Sequence, residues 1–311
     1  MIPKQKVVIV AIYFGKAPSN IQVWLDSCGW NASFNWLLII DWCPNALRLP
    51  KNVEIKQSGL SEIKKILGDR LNVDVSLNHA YKLCDYRPLY WILLEYWRLK
   101  YDYWGHCDVD VIFGNLEKFL ASWIEQRRQR ILGLGHLSIY INNPIAKLAF
   151  LLPGSQISWD KTRCTEKNLG FDEHHGVNNI WKTHKLDFIE ADEIVADIDP
   201  NVCAIRIIGR PLQPKKSILF ASAKGVYLGW FDKHSVWKVT EYAYVHFQKR
   251  KLLVDSKYND EEFYVLLSNK LVSVANVPNS KVSLYSMLLN EPRLKPAERL
   301  HLTKQWAKKY F

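Results

Sequence analysis

Two β-branched apolar runs near the start of the chain constrain its fold most. Val7 to Phe14 leads into Gly15, and Trp36 to Asp41 ends in an acid. Unbroken apolar runs belong to strands covered on both faces, as in parallel sheets flanked by helices. Between them, Ile21, Val23, Trp24 and Cys28 fall at helical spacing over Ser19 to Cys28. Strand, helix, strand predicts an α/β protein whose strand ends open onto a ligand crevice, and Asp41 stands at one such end.

The rest of the chain extends this pattern. Asn52 to Ile55 reads as a third strand, and Leu60 to Leu67 and Pro88 to Leu99 read as helices, the second opening on its proline. Asn115 caps a predicted helix running to about Arg130. Ile131 to Ile141 reads as a strand broken by Gly133 and Gly135, and Asn143 to Leu152 as a helix ended by Pro153-Gly154. Short strands then dominate: 186–190, 202–208, 218–221, 226–231 and 242–247. Residues 259–268 and 280–290 return to helix. No repeat or low-complexity linker interrupts the chain, so one continuous domain with a C-terminal elaboration is expected.

Composition narrows the class of partner. At 311 residues, 48% hydrophobic and 23% charged, the chain has ample core for a folded domain. Its formal net charge of +11 favours phosphate-bearing ligands, an anionic membrane face or nucleic acid. The basic residues are not interleaved with any nucleic-acid module, which ranks nucleic acid last. Residues 293–311 carry basic and apolar side chains together, and predict either a docked surface helix or peripheral contact with an anionic membrane. Six cysteines show neither CxxC nor a pairing pattern, and read as mostly buried free thiols. The opening residues lack a signal-peptide layout, and no apolar stretch approaches the roughly 20 residues of a membrane span. A cytoplasmic protein is expected.

The chemistry concentrates in four segments. In Gly105-His106-Cys107-Asp108-Val109-Asp110-Val111-Ile112-Phe113-Gly114, two carboxylates stand inside an apolar frame. On a continuous strand, Asp108 and Asp110 face the same side, and like charges that close call for a divalent cation. Upstream, Cys84-Asp85-Tyr86-Arg87-Pro88 offers a guanidinium that can fork onto diphosphate oxygens and an acid that can accept from sugar hydroxyls; a local helix-start ion pair is the alternative. Downstream, His246 lies in an apolar strand as a candidate third ligand for Mn²⁺, followed by Lys249 and Arg250, which can neutralise a leaving diphosphate. In Phe171-Asp172-Glu173-His174-His175-Gly176, Asp172 or Glu173 is a candidate general base, with a solvated loop as the other reading.

Together and in this order, the opening strand, Lys82 to Pro88, Gly105 to Gly114 and His246 to Arg250 resemble bacterial glycosyltransferases of the GT-A fold, in particular capsule and surface-polysaccharide transferases. The resemblance implies a Rossmann-like mixed sheet flanked by helices, with a nucleotide half over about 1–115, an acceptor half over about 116–251, and a helical extension over 252–311 packed on them. It further implies metal-dependent transfer from a UDP- or GDP-linked sugar to a glycan or lipid-linked acceptor of capsule or O-antigen assembly. On that resemblance Asp108, Asp110 and His246 hold Mn²⁺ or Mg²⁺. Asp108 also meets ribose or sugar hydroxyls, Tyr13, Asp41, Asp85 and Arg87 surround the donor, and Lys249 and Arg250 meet the phosphates. The protein would work in the cytoplasm or on the inner face of the cell membrane.

Two other classes use the same residues. A phosphoesterase or nucleotidyltransferase needs a second acid pair for a two-metal site, and no comparable apolar-framed pair is present. A non-catalytic subunit of a polysaccharide assembly complex would tolerate Asn at both Asp108 and Asp110.

Overall fold

A computed structural model describes residues 5–199, 205–209, 217–248, 253–254, 263–267 and 270–274. The chain divides into two compact units. The first comprises residues 1–17, 31–109 and 117–192, and the second residues 18–30, 110–116 and 193–311.

The first unit is built on the expected α/β sheet, with seven strands. Val7–Tyr13 lies beside Phe34–Ile40, which lies beside Val53–Gln57 at the edge, all parallel. On its other side Val7–Tyr13 pairs in parallel with Tyr103–Cys107. Beyond come Leu137–Ile141, Arg130–Leu134 and Phe188–Ile189, the first two forming an antiparallel hairpin. The unbroken apolar runs are explained by position: Val7 to Ala11 and Trp36 to Ile40 are all buried at the sheet centre. Leu60–Leu71 is a helix that buries Ile63, Ile66 and Leu67, one apolar stripe three to four residues apart. It ends where Asn72 takes a left-handed conformation at φ 53°.

The second unit holds two sheets. One has six strands in the order Trp237–Tyr242, Gly225–Phe231, Ser217–Ser222, Phe263–Leu267, Lys270–Val274 and Leu253–Val254. The other has three, with Tyr244–His246 between Val111–Phe113 and Val195–Asp197. The helix Ile21–Gly29 belongs here, where its Val23 shares a core with Ile112, Ala196, Leu219, Val226 and Val245. Gly114 permits a close backbone approach: a Cβ there would sit 2.8 Å from the Val226 nitrogen and 2.9 Å from the Tyr242 oxygen. Among the described residues no helix is long and apolar enough to cross a membrane.

The structure corrects several expectations. Within 259–268 the described residues form the strand Phe263–Leu267, in keeping with its aromatic and β-branched content, and not a helix. The segment before Tyr103 begins as a 3₁₀ helix, Ala80–Leu89, and only Trp91–Tyr96 is α-helical, because Pro88 brings no N–H to an i→i−4 bond. Ile131–Ile141 is a hairpin of two strands, not one. Trp237–Tyr242 escaped the reading because Lys238, Val239 and Thr240 are exposed and give no apolar alternation. Of the five described cysteines, Cys43 and Cys164 are exposed and not buried. The helices read at 280–290 and 293–311 lie outside the described residues.

Candidate active site

Within the first unit the sheet reverses its direction of growth between Val7–Tyr13 and Tyr103–Cys107. One neighbouring strand of Val7–Tyr13 follows it in the chain and the other arrives after two further strands. Ligands of open α/β sheets bind at such a switch point, beyond the carboxyl ends of the strands. Tyr13, half-buried, ends the first strand. Beyond it the Gly15 N–H donates to Asp41 Oδ1 at 2.8 Å, so this acid, at the end of its own strand, fastens the neighbouring loop.

Asp108 stands past the end of Tyr103–Cys107. Its N–H continues the ladder by donating to the His136 carbonyl at 3.2 Å. The strand stops there. Val109 and Asp110 form a bend, so Asp108 and Asp110 do not share a strand face as their spacing predicted. Asp108 closes the pairing with Leu137–Ile141, whereas Val111 begins pairing with His246 in another sheet.

The Asp108 carboxylate accepts from Arg87 Nη2. Arg87 Nη1 donates to Asp172 Oδ2 at 2.8 Å, so one guanidinium joins two acids from distant parts of the sequence. Arg87 and Asp172 are buried, with relative exposures of 8% and 2%. Burial alone would weaken the Arg87 cation, but Asp108, Cys84 and Asp172 outweigh it and hold it firmly protonated. Burial raises the Asp172 carboxyl to about 7; Arg87 opposes the rise and Glu173 adds to it.

Asp85 does different work. Fully buried, it accepts from Lys82 Nζ at 2.8 Å and from the N–H groups of Leu169 at 2.9 Å and Phe171 at 2.8 Å. Lys82 also donates to the Lys167 carbonyl at 2.8 Å. This pair ties the segment that carries Asp172 to the 3₁₀ helix that carries Arg87. After Asp172 the loop closes tightly, with the Val177 N–H donating to the Phe171 carbonyl at 2.7 Å, and leaves Glu173 exposed. Gly135 makes the cluster possible. A Cβ at this position would lie 3.0 Å from both Arg87 Nη1 and Asp172 Oδ2 and would collide with Glu173 Oε1.

The second unit carries an arrangement of its own. His246 Nδ1 lies 2.8 Å from Asp197 Oδ1, and its Nε2 lies 3.5 Å from Asp110 Oδ1. Burial pulls the imidazolium down, but hydrogen bonds and charge from Asp110 and Asp197 prevail and push it to about 10. The Phe247 N–H donates to the Asp110 carbonyl at 3.1 Å, fixing the backbone beside the acid. Carboxylate and imidazole suit a hard or borderline divalent ion. The 3.5 Å gap is one that an ion with bonds of about 2.1 Å can bridge. The residues present therefore fit Mn²⁺ or Mg²⁺.

Of the residues singled out in sequence, Arg87, Asp108 and Asp172 converge in the first unit, and Asp110 and His246 in the second. Asp41 and Asp85 have their oxygens engaged by neighbouring backbone. Lys249 and Arg250 lie outside the described residues. Sequence reasoning missed Lys82, Gly135, Asp197 and Gln248. A signal for Asp197 exists: Val195-Ala196-Asp197-Ile198 sets an acid in an apolar frame much as Cys107 to Ile112 does.

Residues 9–274 match the model of a family described as of unknown function, DUF6625. The chain belongs to this family. No curated protein matches it. Among solved structures it is similar to the glycosyltransferase GlyE of Streptococcus pneumoniae TIGR4, at 10% identity and TM-score 0.36, over 61% of this chain and 46% of that one. It therefore spans less than half the length of that relative. It is also similar to mouse xyloside xylosyltransferase 1, at 7% identity and TM-score 0.38 over 62% of this chain and 88% of that one. A third similar structure is the galactosyltransferase LgtC in complex with donor and acceptor sugar analogs, at 9% identity and TM-score 0.38 over 78% and 88%.

Proposed function

We propose that this protein is a metal-dependent glycosyltransferase that moves a sugar from a UDP- or GDP-linked donor to a glycan or lipid-linked acceptor. The reading rests foremost on one observation. The strand at the sheet's switch point runs into Asp108, whose carboxylate is gripped by Arg87, and two residues later Asp110 faces the His246 imidazole.

In this proposal Asp108, Asp110 and His246 hold Mn²⁺ or Mg²⁺, Asp108 being assigned from its place in the Asp-x-Asp. When bound, the ion neutralises charge on the departing nucleoside diphosphate. Tyr13 faces the base. Arg87 and Asp172 form a rigid, charged wall whose outward lone pairs and N–H groups receive donor hydroxyls. Lys249 and Arg250 meet the phosphates. Glu173, exposed beside buried Asp172, takes the proton from the acceptor hydroxyl. Asp41 and Asp85 position loops and do not touch the donor. The net charge of +11 suits an anionic donor and an acceptor anchored at the inner face of a bacterial membrane, as in capsule or O-antigen assembly.

Calorimetric titration with UDP, GDP and CDP, with and without Mn²⁺, tests the reading. Metal-dependent binding of one nucleotide is expected, and Asp110→Asn is expected to abolish it. Equal nucleotide binding with and without metal in the wild-type protein would refute the assignment.

A further inference from the structure

We infer that Asp197, held by Gln248, is a positioning residue that fixes the ring of His246 so that its Nε2 faces Asp110. The inference rests on the metal reading of Asp110 and His246 given above and extends it to residues outside the Asp-x-Asp.

The geometry follows from the three-stranded sheet. Tyr244–His246 is its central strand, and His246 stands opposite Val111 on one side and Asp197 on the other. Directly paired residues of neighbouring strands project to one face, so the carboxylate and the imidazole meet without any reach across the sheet. An ionised carboxylate only accepts, so at 2.8 Å from Asp197 Oδ1 the Nδ1 atom must carry a proton. That leaves Nε2 as the ring atom directed at Asp110.

Asp197 is itself held. Gln248 Nε2 donates to the same Oδ1 at 3.0 Å. The Gln248 backbone lies at φ 50°, a left-handed conformation that a residue with a Cβ adopts at some cost. Here that conformation accompanies an amide aimed at the carboxylate. Two donors, an imidazole N–H and an amide N–H, thus converge on one oxygen. Metal-binding histidines characteristically donate their second ring N–H to such a partner, which sets both tautomer and orientation.

The test uses the intact chain. Mn²⁺ affinity is measured by electron paramagnetic resonance for wild type, Asp197→Ala, Asp197→Asn and Gln248→Ala. Separately, the imidazole N–H of His246 is followed by nuclear magnetic resonance in metal-free protein. Asp197→Ala is expected to weaken Mn²⁺ by about 10- to 100-fold and to remove an exchange-protected, downfield Nδ1–H resonance. Asp197→Asn keeps an accepting oxygen and should restore much of both, while Gln248→Ala should cost less than Asp197→Ala. A merely structural role would not predict the rescue or the lost resonance. Wild-type binding left unchanged by Asp197→Ala overturns this inference alone. An Asp197→Asn variant as impaired as Asp110→Asn, with the resonance retained, also overturns it, by making Asp197 a direct ligand. Wild-type protein that binds no Mn²⁺ overturns the metal reading, and this inference with it.

Discussion

Each unit places a nitrogen base between two carboxylates, and the two arrangements differ in what the base can give up. In the first unit Arg87 lies between Asp108 and Asp172; in the second His246 lies between Asp110 and Asp197. A guanidinium stays charged at any pH a protein survives, so the Arg87 arrangement is a permanent fixture. An imidazolium can release its Nε2 proton and accept a cation there instead. One trio suits holding shape, the other suits exchange.

Removing each base should expose that contrast. Above pH 7, where Asp172 is ionised, Arg87→Met strips this buried acid of its partner and should cost about 3–5 kcal/mol of stability, the usual penalty for an orphaned buried charge. Denaturant unfolding reads this, and a loss below 1 kcal/mol would mean that Asp172 is already neutral beside Arg87. Gly135→Ala wedges a methyl among Arg87, Asp172 and Glu173. It should cost about 1–3 kcal/mol, with nucleotide binding impaired beyond the stability loss.

The pH dependence is the subtler contrast. His246 is raised from 6.5 to about 10 on folding, so without metal its contribution is complete below about 6.5 and fades as pH rises toward 10. Asp172, raised from 3.8 to about 7, loses its contribution as pH climbs through 7. Between pH 8 and 9.5 His246 therefore adds up to about 1.4 kcal/mol per pH unit to the slope, beside the Cys84 thiol, which burial pushes from 9.0 to about 12. In chelator, His246→Gln should flatten that slope in a series of melts, and added Mn²⁺ should flatten it in the wild type. An unaltered slope in His246→Gln would show that the proton is held elsewhere.

How legible these features were in the sequence depended on burial. The Val7 and Trp36 runs announced central parallel strands because both faces of each are covered. Trp237–Tyr242 went unread because an exposed strand leaves no apolar alternation. The two aspartates were wrongly placed on one strand. Val109 and Val111 look continuous along the chain, but the backbone bends between them and changes sheet, and no residue type marks that change. Arg87 and Asp172 were each noticed, yet 85 residues separate them, and only the fold could join them. Asp85 looked like a ligand-facing acid and proved to be an internal clasp, since a single sequence does not reveal what occupies a carboxylate's oxygens.

The interleaving of the units has a consequence in time. Among the described residues the strand Val111–Phe113, which follows Asp110, pairs only with Tyr244–His246, about 130 residues further along. During synthesis at 5–20 residues per second, an apolar strand therefore waits on the order of ten seconds for its partner. Until then the nascent chain carries an open strand edge beside an acid with no imidazole to face, and a ribosome that stalls in that interval leaves a sticky, unfinished product.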